Sequence, residues 1–224
     1  EIAQCLVGSE MCIRDRIMSY SADGFSQLSH QYHTCISEHV CRSRFAHEVR
    51  PVLINSWEAA YFDFTGDTIV DLAKEAASLG IDMVVMDDGW FGKRDDDNSS
   101  LGDWFVNEKK LGGTLSELID RVHAQGVKFG IWIEPEMVCK QSELYEKHPD
   151  WVIHQPDRSI AYGRGGGQMV LDLSNPEVQD FVFGVVDRLM TQYPELAYIK
   201  WDANMTLANY GSSYLSKEKQ SHLY

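Results

Sequence analysis

A lysine and an aspartate two residues apart, at the end of an apolar run, are the first feature of this chain that could do chemistry. In Tyr198-Ile199-Lys200-Trp201-Asp202-Ala203-Asn204, a strand would place Tyr198, Lys200 and Asp202 on one face, because side chains alternate with period 2. Ile199 and Trp201 would then point the other way, toward covering helices. An ammonium beside a carboxylate favours the ionised form, so Lys200 would keep Asp202 charged and able to attack an electrophilic carbon. Taken alone, such a pair is more often a structural ion pair than a reactive one. Its context reverses that preference, since other apolar runs end in the same way. Met83–Met86 leads into Asp87-Asp88-Gly89-Trp90, and Val127–Ile133 into Glu134-Pro135-Glu136, with Trp132 and Glu134 sharing a face. Breaking a glycosidic bond takes two carboxylates, and sugar recognition adds polar groups for hydroxyls and a flat aromatic for the ring face. Asp87, Asp88, Trp90, Trp132, Glu134, Glu136, Arg164, Lys200, Asp202 and Asn204 supply such a set, in which Glu134 and Glu136 read equally as structural acceptors or as catalytic groups.

The elements that would position these residues alternate regularly. Apolar runs predict strands near 52–55, 82–86, 127–133, 168–173 and 197–201. Between them, 67–79 has helical periodicity and ends at Gly80. Thr114-Leu115-Ser116-Glu117 is a capping-box pattern at the head of a stripe formed by Leu115, Leu118, Ile119 and Val122. A short helix is predicted over 141–147. Asn175-Pro176-Glu177 opens a longer helix with Val178, Phe181, Val182, Val185 and Leu189 on its buried side. A polar stretch from Lys93 to Asn107 is long enough to suggest a functional loop. Upstream, Ser26–Phe45 reads as a His-rich helix. His30 and His33 lack a carboxylate or cysteine cluster that would complete a metal site.

Strand–helix alternation with near-continuous apolar strands predicts an α/β fold with a parallel sheet. Carboxylates and tryptophans gathered at C-terminal strand ends point to a (β/α)8 TIM barrel, whose active sites occupy that face. Five strands do not close such a barrel, so a partial barrel of about strands 1–5 of 8 is expected. Gly163-Arg164-Gly165-Gly166-Gly167 lacks the features of a phosphate-binding loop, there is no G-x-S-x-G elbow, and Asp95-Asp96-Asp97-Asn98 fails the calcium-loop pattern at Ser100 and Val106.

Composition narrows the class. The 224 residues are 44% hydrophobic and 24% charged, with a net charge of −14. That balance suits a globular protein with a neutral substrate and argues against nucleic acid as a partner. No apolar run approaches the length of a membrane span, and no signal peptide is visible. Five cysteines without a C-x-x-C spacing fit a reduced, cytoplasmic protein. Residues 1–16 do not fit the pattern of the remaining chain; Leu6–Arg16 resembles a translated adapter sequence, and 1–16 is read as a non-native or disordered leader. Residues 17–50 would lead into the barrel, and 51–224 would form its N-terminal part.

Five motifs, taken in order, resemble family 36 glycoside hydrolases, the bacterial α-galactosidases of melibiase type. They are Trp57-Glu58-Ala59-Ala60-Tyr61-Phe62-Asp63, Asp87-Asp88-Gly89-Trp90-Phe91, Leu101-Gly102-Asp103-Trp104, Trp132-Ile133-Glu134-Pro135-Glu136-Met137 and Lys200-Trp201-Asp202. The resemblance implies removal of terminal α-linked galactose from galactosides of the melibiose and raffinose type by a retaining double displacement. It implies Asp202 as catalytic nucleophile and Asp87 and Asp88 on galactose hydroxyls. Trp132 would line the pocket, Arg164 and Lys200 would contact the sugar, and Asn204 would sit beside the nucleophile. No cofactor and no metal are expected. The family's acid/base aspartate lies on the next strand, beyond Tyr224, and its flanking β domains have no counterpart here. The chain is therefore expected to be an inactive fragment of an active parent, for which a homo-oligomer stays open. A galactosyl transferase or α-N-acetylgalactosaminidase on the same barrel is the enzymatic alternative, and a non-catalytic sugar-binding barrel is the other.

Overall fold

The computed structural model describes residues 2–4, 17–41, 47–155, 157–160, 162, 167–205 and 210–223. It divides into two compact units, one of residues 1–50 with 224 and one of Pro51–Leu223. In the first, β1 (Ile2–Gln4) and β2 (Ile17–Ser19) pair antiparallel, and α1 (Gly24–Cys35) continues as a π-helical turn, Ile36–Val40. The leader expected over 1–16 thus contributes one paired strand, and its remainder falls outside the described residues.

The second unit carries the predicted α/β core. Strands β3 (Leu53–Asn55), β4 (Met83–Met86), β5 (Lys128–Ile133) and β8 (Tyr198–Trp201) form one parallel sheet in the order β3-β4-β5-β8. Helices α2 (Trp57–Ala60) and α3 (Gly66–Ser78) connect β3 to β4, and α4 (Glu108–Leu111) and α5 (Leu115–His123) connect β4 to β5. β6 (Met137–Cys139), α6 (Glu143–Lys147), β7 (Gln168–Val170) and α7 (Pro176–Gln192) lie between β5 and β8. This is the layout of a partial TIM barrel, strands inside and helices outside.

Caps fix the helix starts. Thr114 and Glu117 form the expected reciprocal box, with the Glu117 carboxylate accepting the Thr114 N–H at 2.8 Å. Asn175 accepts from Glu177 N–H at 3.0 Å ahead of Pro176. At α3 the box is built from two threonines, Thr65 and Thr68, a variant of the usual pattern.

One expected strand belongs elsewhere. The 168–173 run is predicted as the fourth strand of the parallel sheet, but only Gln168–Val170 is strand, and it pairs antiparallel with β6. This stretch finds its backbone partners elsewhere: besides the β6 ladder, Leu171 N–H donates to the Glu136 carbonyl at 2.8 Å and Ile153 N–H to the Val170 carbonyl at 2.9 Å, so its polar groups are satisfied outside the parallel sheet. After the 17-residue α7, about 25 Å long, β8 takes the place beside β5. Among the described residues the barrel segment has four strands, and the β6–β7 pair packs a small core of its own with Val138, Trp151, Val152, Met169 and Leu171.

Strand parity separates the two faces. Ile54, Val84, Met86, Phe129, Ile131, Ile133 and Ile199 face outward onto Ile69, Ala73 and Ala76 of α3, the apolar stripe of α5, and Val185 and Leu189 of α7. Inward, Asn55, Val85, Gly130 and Tyr198 stand level with one another. A Cβ on Gly130 would lie 3.1 Å from both Val85 and Tyr198 side-chain atoms, so glycine lets Tyr198 cross the inner face. The next inward level is Asp87, Trp132 and Lys200.

Gly66, the first residue of α3, gives a sharp test of packing against propensity. A Cβ there would meet the Leu111 carbonyl oxygen at 2.1 Å, a backbone atom that cannot rotate away. Gly66→Ala is therefore expected to destabilise by about 1–3 kcal/mol, although alanine is the better helix former. Urea denaturation followed by circular dichroism measures it, and an unchanged or higher midpoint would contradict the packing.

Candidate active site

Six of the seven residues assigned to a site from sequence line one pocket of about 230 Å³: Asp87, Asp88, Trp132, Lys200, Asp202 and Asn204. Arg164, the seventh, lies outside the described residues. The convergence follows from register, since each of these residues stands at or just past the C-terminal end of a parallel strand.

Asp202 is the centre of the arrangement. Its backbone N–H donates to the Ile133 carbonyl at 2.9 Å, which extends the β5–β8 pairing to the aspartate. Its Oδ2 accepts the Trp132 indole N–H at 2.9 Å, and Lys200 Nζ stands 3.6 Å away. Burial works to raise its pKa, but the Trp132 indole, the Asn204 side chain and Lys200 outweigh it and hold the carboxyl below its ordinary value. Lys200 lies closer to Asp87, at 2.8 Å, than to Asp202. Burial would lower the ammonium's pKa, yet the two carboxylates keep it raised. The expectation that Lys200 keeps Asp202 charged is thus met in part, with the shorter bond coming from Trp132.

Asp87 and Asp88 are adjacent but differently held. Asp87 Oδ2 accepts from Asn55 Nδ2 at 2.6 Å as well as from Lys200. Asp88 is gripped by Arg94, whose Nε lies 3.0 Å from Oδ1 and Nη2 2.8 Å from Oδ2. Arg94 is 1% exposed, and its Nη1 donates to the Ser99 carbonyl at 3.1 Å. Burial pushes the Asp88 carboxyl up, against the pull of that guanidinium. The loop from Gly89 to Asn107 that presents Arg94 is itself closed. Gly92 N–H donates to Phe105 C=O at 2.8 Å, and Asn107 N–H to Trp90 C=O at 2.9 Å.

Aromatic packing sets the pocket wall. Trp132 stacks on Phe91 at 6.2 Å and lies 6.0 Å from Trp104. Its carbonyl accepts the Trp90 indole N–H at 2.8 Å. These neighbours fix the ring that donates to Asp202.

The two readings of Glu134 and Glu136 resolve into two roles. Glu136 accepts the Trp201 indole N–H on the outward face of β8, a structural bond. Glu134 lines the pocket, is 2% exposed and accepts the Asn204 N–H at 2.6 Å. Burial, then the charges of Asp202 and Asp88, push its carboxyl up to about 7. Asp103 of the Leu101–Trp104 motif is also structural, capping α6 through the Glu143 and Leu144 N–H groups at 3.2 and 3.1 Å.

Trp57, Arg94, Asp97 and Gln168 also line the pocket and were not assigned from sequence. Trp57 follows a strand end and could have been found by the same rule. Arg94 offered only a basic residue in an acidic loop. Gln168 begins a strand rather than ending one, so nothing local marked it. No group of three or more potential metal ligands occurs among the described residues.

Arg94→Leu would leave Asp88 buried and unpaired, which is expected to cost about 3–5 kcal/mol near neutral pH. Losing the guanidinium raises the folded-state pKa of Asp88 further. The folded protein then binds a proton that the unfolded chain has already lost, so the deficit grows as pH rises. Urea unfolding at pH 4 and pH 8 should show the smaller loss at pH 4, with Asp88→Asn in the Arg94→Leu background recovering part of it. A loss independent of pH would contradict the pairing.

Known proteins similar to this chain are α-galactosidases. The bifunctional α-galactosidase/sucrose kinase AgaSK of Mediterraneibacter gnavus is 61% identical over 209 residues, which is 93% of this chain and 22% of that protein. The α-galactosidase AgaA of Geobacillus stearothermophilus is 47% identical over 204 residues, 91% of this chain and 28% of that protein. A solved structure of a substituted form of AgaA, family GH36, in complex with raffinose superposes with a TM-score of 0.84 at 44% identity, covering 92% of this chain and 29% of that one. The chain thus spans less than a third of the length of these relatives. The melibiase family matches residues 14–224, and the chain belongs to that family, glycoside hydrolase family 36.

Proposed function

We propose that the protein containing this chain hydrolyses terminal α-linked galactose from galactosides of the melibiose and raffinose type, by a retaining double displacement with Asp202 as nucleophile. The observation that carries the reading is the state of Asp202. It is a half-buried carboxylate kept ionised by the Trp132 indole, Asn204 and Lys200 in a pocket on the strand-end face. A carboxylate so held can attack an anomeric carbon and stabilise the positive charge that develops there.

Each pocket group then has a part. Asp87 and Asp88, fixed by Lys200 and Arg94, present carboxylate oxygens to sugar hydroxyls. Trp132 offers an aromatic wall while its N–H orients the nucleophile. Lys200 and Asn204 complete the polar contacts, and Arg164 is assigned to the sugar by the family resemblance. The AgaA complex with raffinose supports a galactoside as the substrate class. The proton donor for the leaving oxygen is proposed to come from outside these 224 residues, so the chain alone is taken to be inactive. A cytoplasmic location is proposed from cysteine usage; among the described residues no helix is long and apolar enough to cross a membrane.

In the full-length protein, Asp202→Asn is expected to abolish turnover of an aryl α-galactoside while galactose binding stays within a few-fold, because the amide keeps the shape and loses the nucleophile. Nuclear magnetic resonance of the first-formed sugar should show the α anomer from the wild type. An inverted first product, or wild-type turnover by the Asn variant, would refute the mechanism. A bound galactoside that is never cleaved by the wild type would favour the sugar-binding reading.

A further inference from the structure

Glu134 has no part in the chemistry assigned so far, yet it sits within the site. It follows directly on β5, the strand bonded to β8. Trp132 stands opposite Lys200 and Ile133 opposite Trp201, so the next step places Glu134 level with Asp202. Its Oε1 accepts the Asn204 backbone N–H at 2.6 Å, and the Asn204 side chain hydrogen-bonds to both Glu134 and Asp202. One residue therefore bridges two carboxyl groups.

The charges around Glu134 are unbalanced. Asp202 faces it from the end of β8 and Asp88 from the end of β4. Asp87 and Asp97 line the same pocket. Among the described residues, the two cations lining the pocket are engaged elsewhere, Arg94 by Asp88 and Lys200 by Asp87 and Asp202. Burial and carboxylate neighbours, with no cation paired to Glu134 among the described residues, favour its neutral form, and the carboxyl is pushed up to about 7, so the neutral form prevails below that pH.

Resting on the glycosidase reading above, we propose that Glu134 is a positioning residue for the nucleophile, acting as a neutral acid through Asn204. The neutral carboxyl fixes the chain after β8 by accepting the Asn204 N–H, and it keeps a second negative charge away from Asp202. Ionised, it would set two carboxylates on neighbouring strands about 5 Å apart, sharing one asparagine, and their repulsion would pull Asp202 off the Trp132 indole. Glu134 is not placed to be the proton donor. The donor must reach the leaving oxygen across the sugar from the nucleophile, whereas Glu134 stands beside Asp202 on the adjoining strand. Its proton stays on it throughout, and no bond is made or broken at this residue.

The test uses the full-length protein, with kcat and KM for 4-nitrophenyl α-galactoside measured from pH 5 to pH 9. The working form is neutral, so kcat of the wild type is expected to fall as pH rises through about 7. Glu134→Gln keeps the shape, the acceptor oxygen and the neutrality. It is expected to lose no more than about tenfold in kcat at acidic pH and to remove the fall above neutrality. Glu134→Ala leaves the Asn204 N–H without its acceptor and should lose about 100-fold in kcat, the scale of an ångström-sized misplacement, with KM within about threefold. Infrared difference spectra should show a carboxylic acid C=O band that titrates away on the alkaline side in the wild type and is missing in Glu134→Gln. Should the Ala variant not fold, the Gln variant and the infrared band decide the matter. An alkaline limb unchanged in Glu134→Gln, or wild-type kcat in Glu134→Ala, overturns the positioning role while the glycosidase reading stands. Loss of activity at every pH in Glu134→Gln with rescue by azide makes Glu134 the proton donor and also overturns it. A wild-type protein inactive on all α-galactosides overturns the glycosidase reading, and this proposal with it.

Discussion

The hydrogen bond from the Trp132 indole to Asp202 is the interaction on which the rest of the site depends. An aspartate at a strand end can stay ionised in a half-buried place only if donors replace the water it has lost. The indole N–H does so at 2.9 Å with a ring that cannot turn, because Phe91, Trp104 and the Trp90 bond to its carbonyl enclose it. A flexible donor would satisfy the same charge and lose entropy in doing so. A packed aromatic is ordered by the core before any substrate arrives, which is the sense in which a site is preorganised.

That bond rests in turn on β5 and β8 being neighbours. Their register sets Trp132 opposite Lys200 and Ile133 opposite Trp201, and the Asp202 N–H bond to Ile133 carries the pairing one residue further. A strand inserted between β5 and β8 would move Asp202 beyond the reach of the indole. The antiparallel pair of β6 and β7 leaves this adjacency intact and contributes Gln168 to the pocket wall.

The pocket also shows how acidic groups are kept in a confined space. Among the described residues each pocket cation is committed to carboxylates, Arg94 bidentately to Asp88 and Lys200 between Asp87 and Asp202. Glu134, paired with no cation among the described residues, is the group whose carboxyl is pushed up to about 7. Pairs of carboxyls driven apart in pKa by their surroundings mark acid and nucleophile roles in many hydrolases. Here geometry restrains that analogy, because the raised group and the lowered one are lateral neighbours and do not face each other across a substrate.

The sequence by itself determined what is local. Period-2 parity put Lys200 and Asp202 on one face, the capping box at Thr114 marked the start of α5, and carboxylates at successive strand ends marked the face that carries the pocket. These depend on residue types within a few positions of one another, so they can be read without coordinates. Tertiary structure decided which distant groups meet. No local pattern says that an indole 70 residues upstream donates to Asp202, or that Arg94 folds back on Asp88 while Lys200 takes Asp87. The 168–173 run has the apolar character of a sheet strand; that its first residues pair antiparallel with β6 is set by backbone partners distant in sequence. Likewise Glu134 and Glu136, two residues apart with the same chemistry, differ only in what burial and neighbours do to them, and those are properties of the fold.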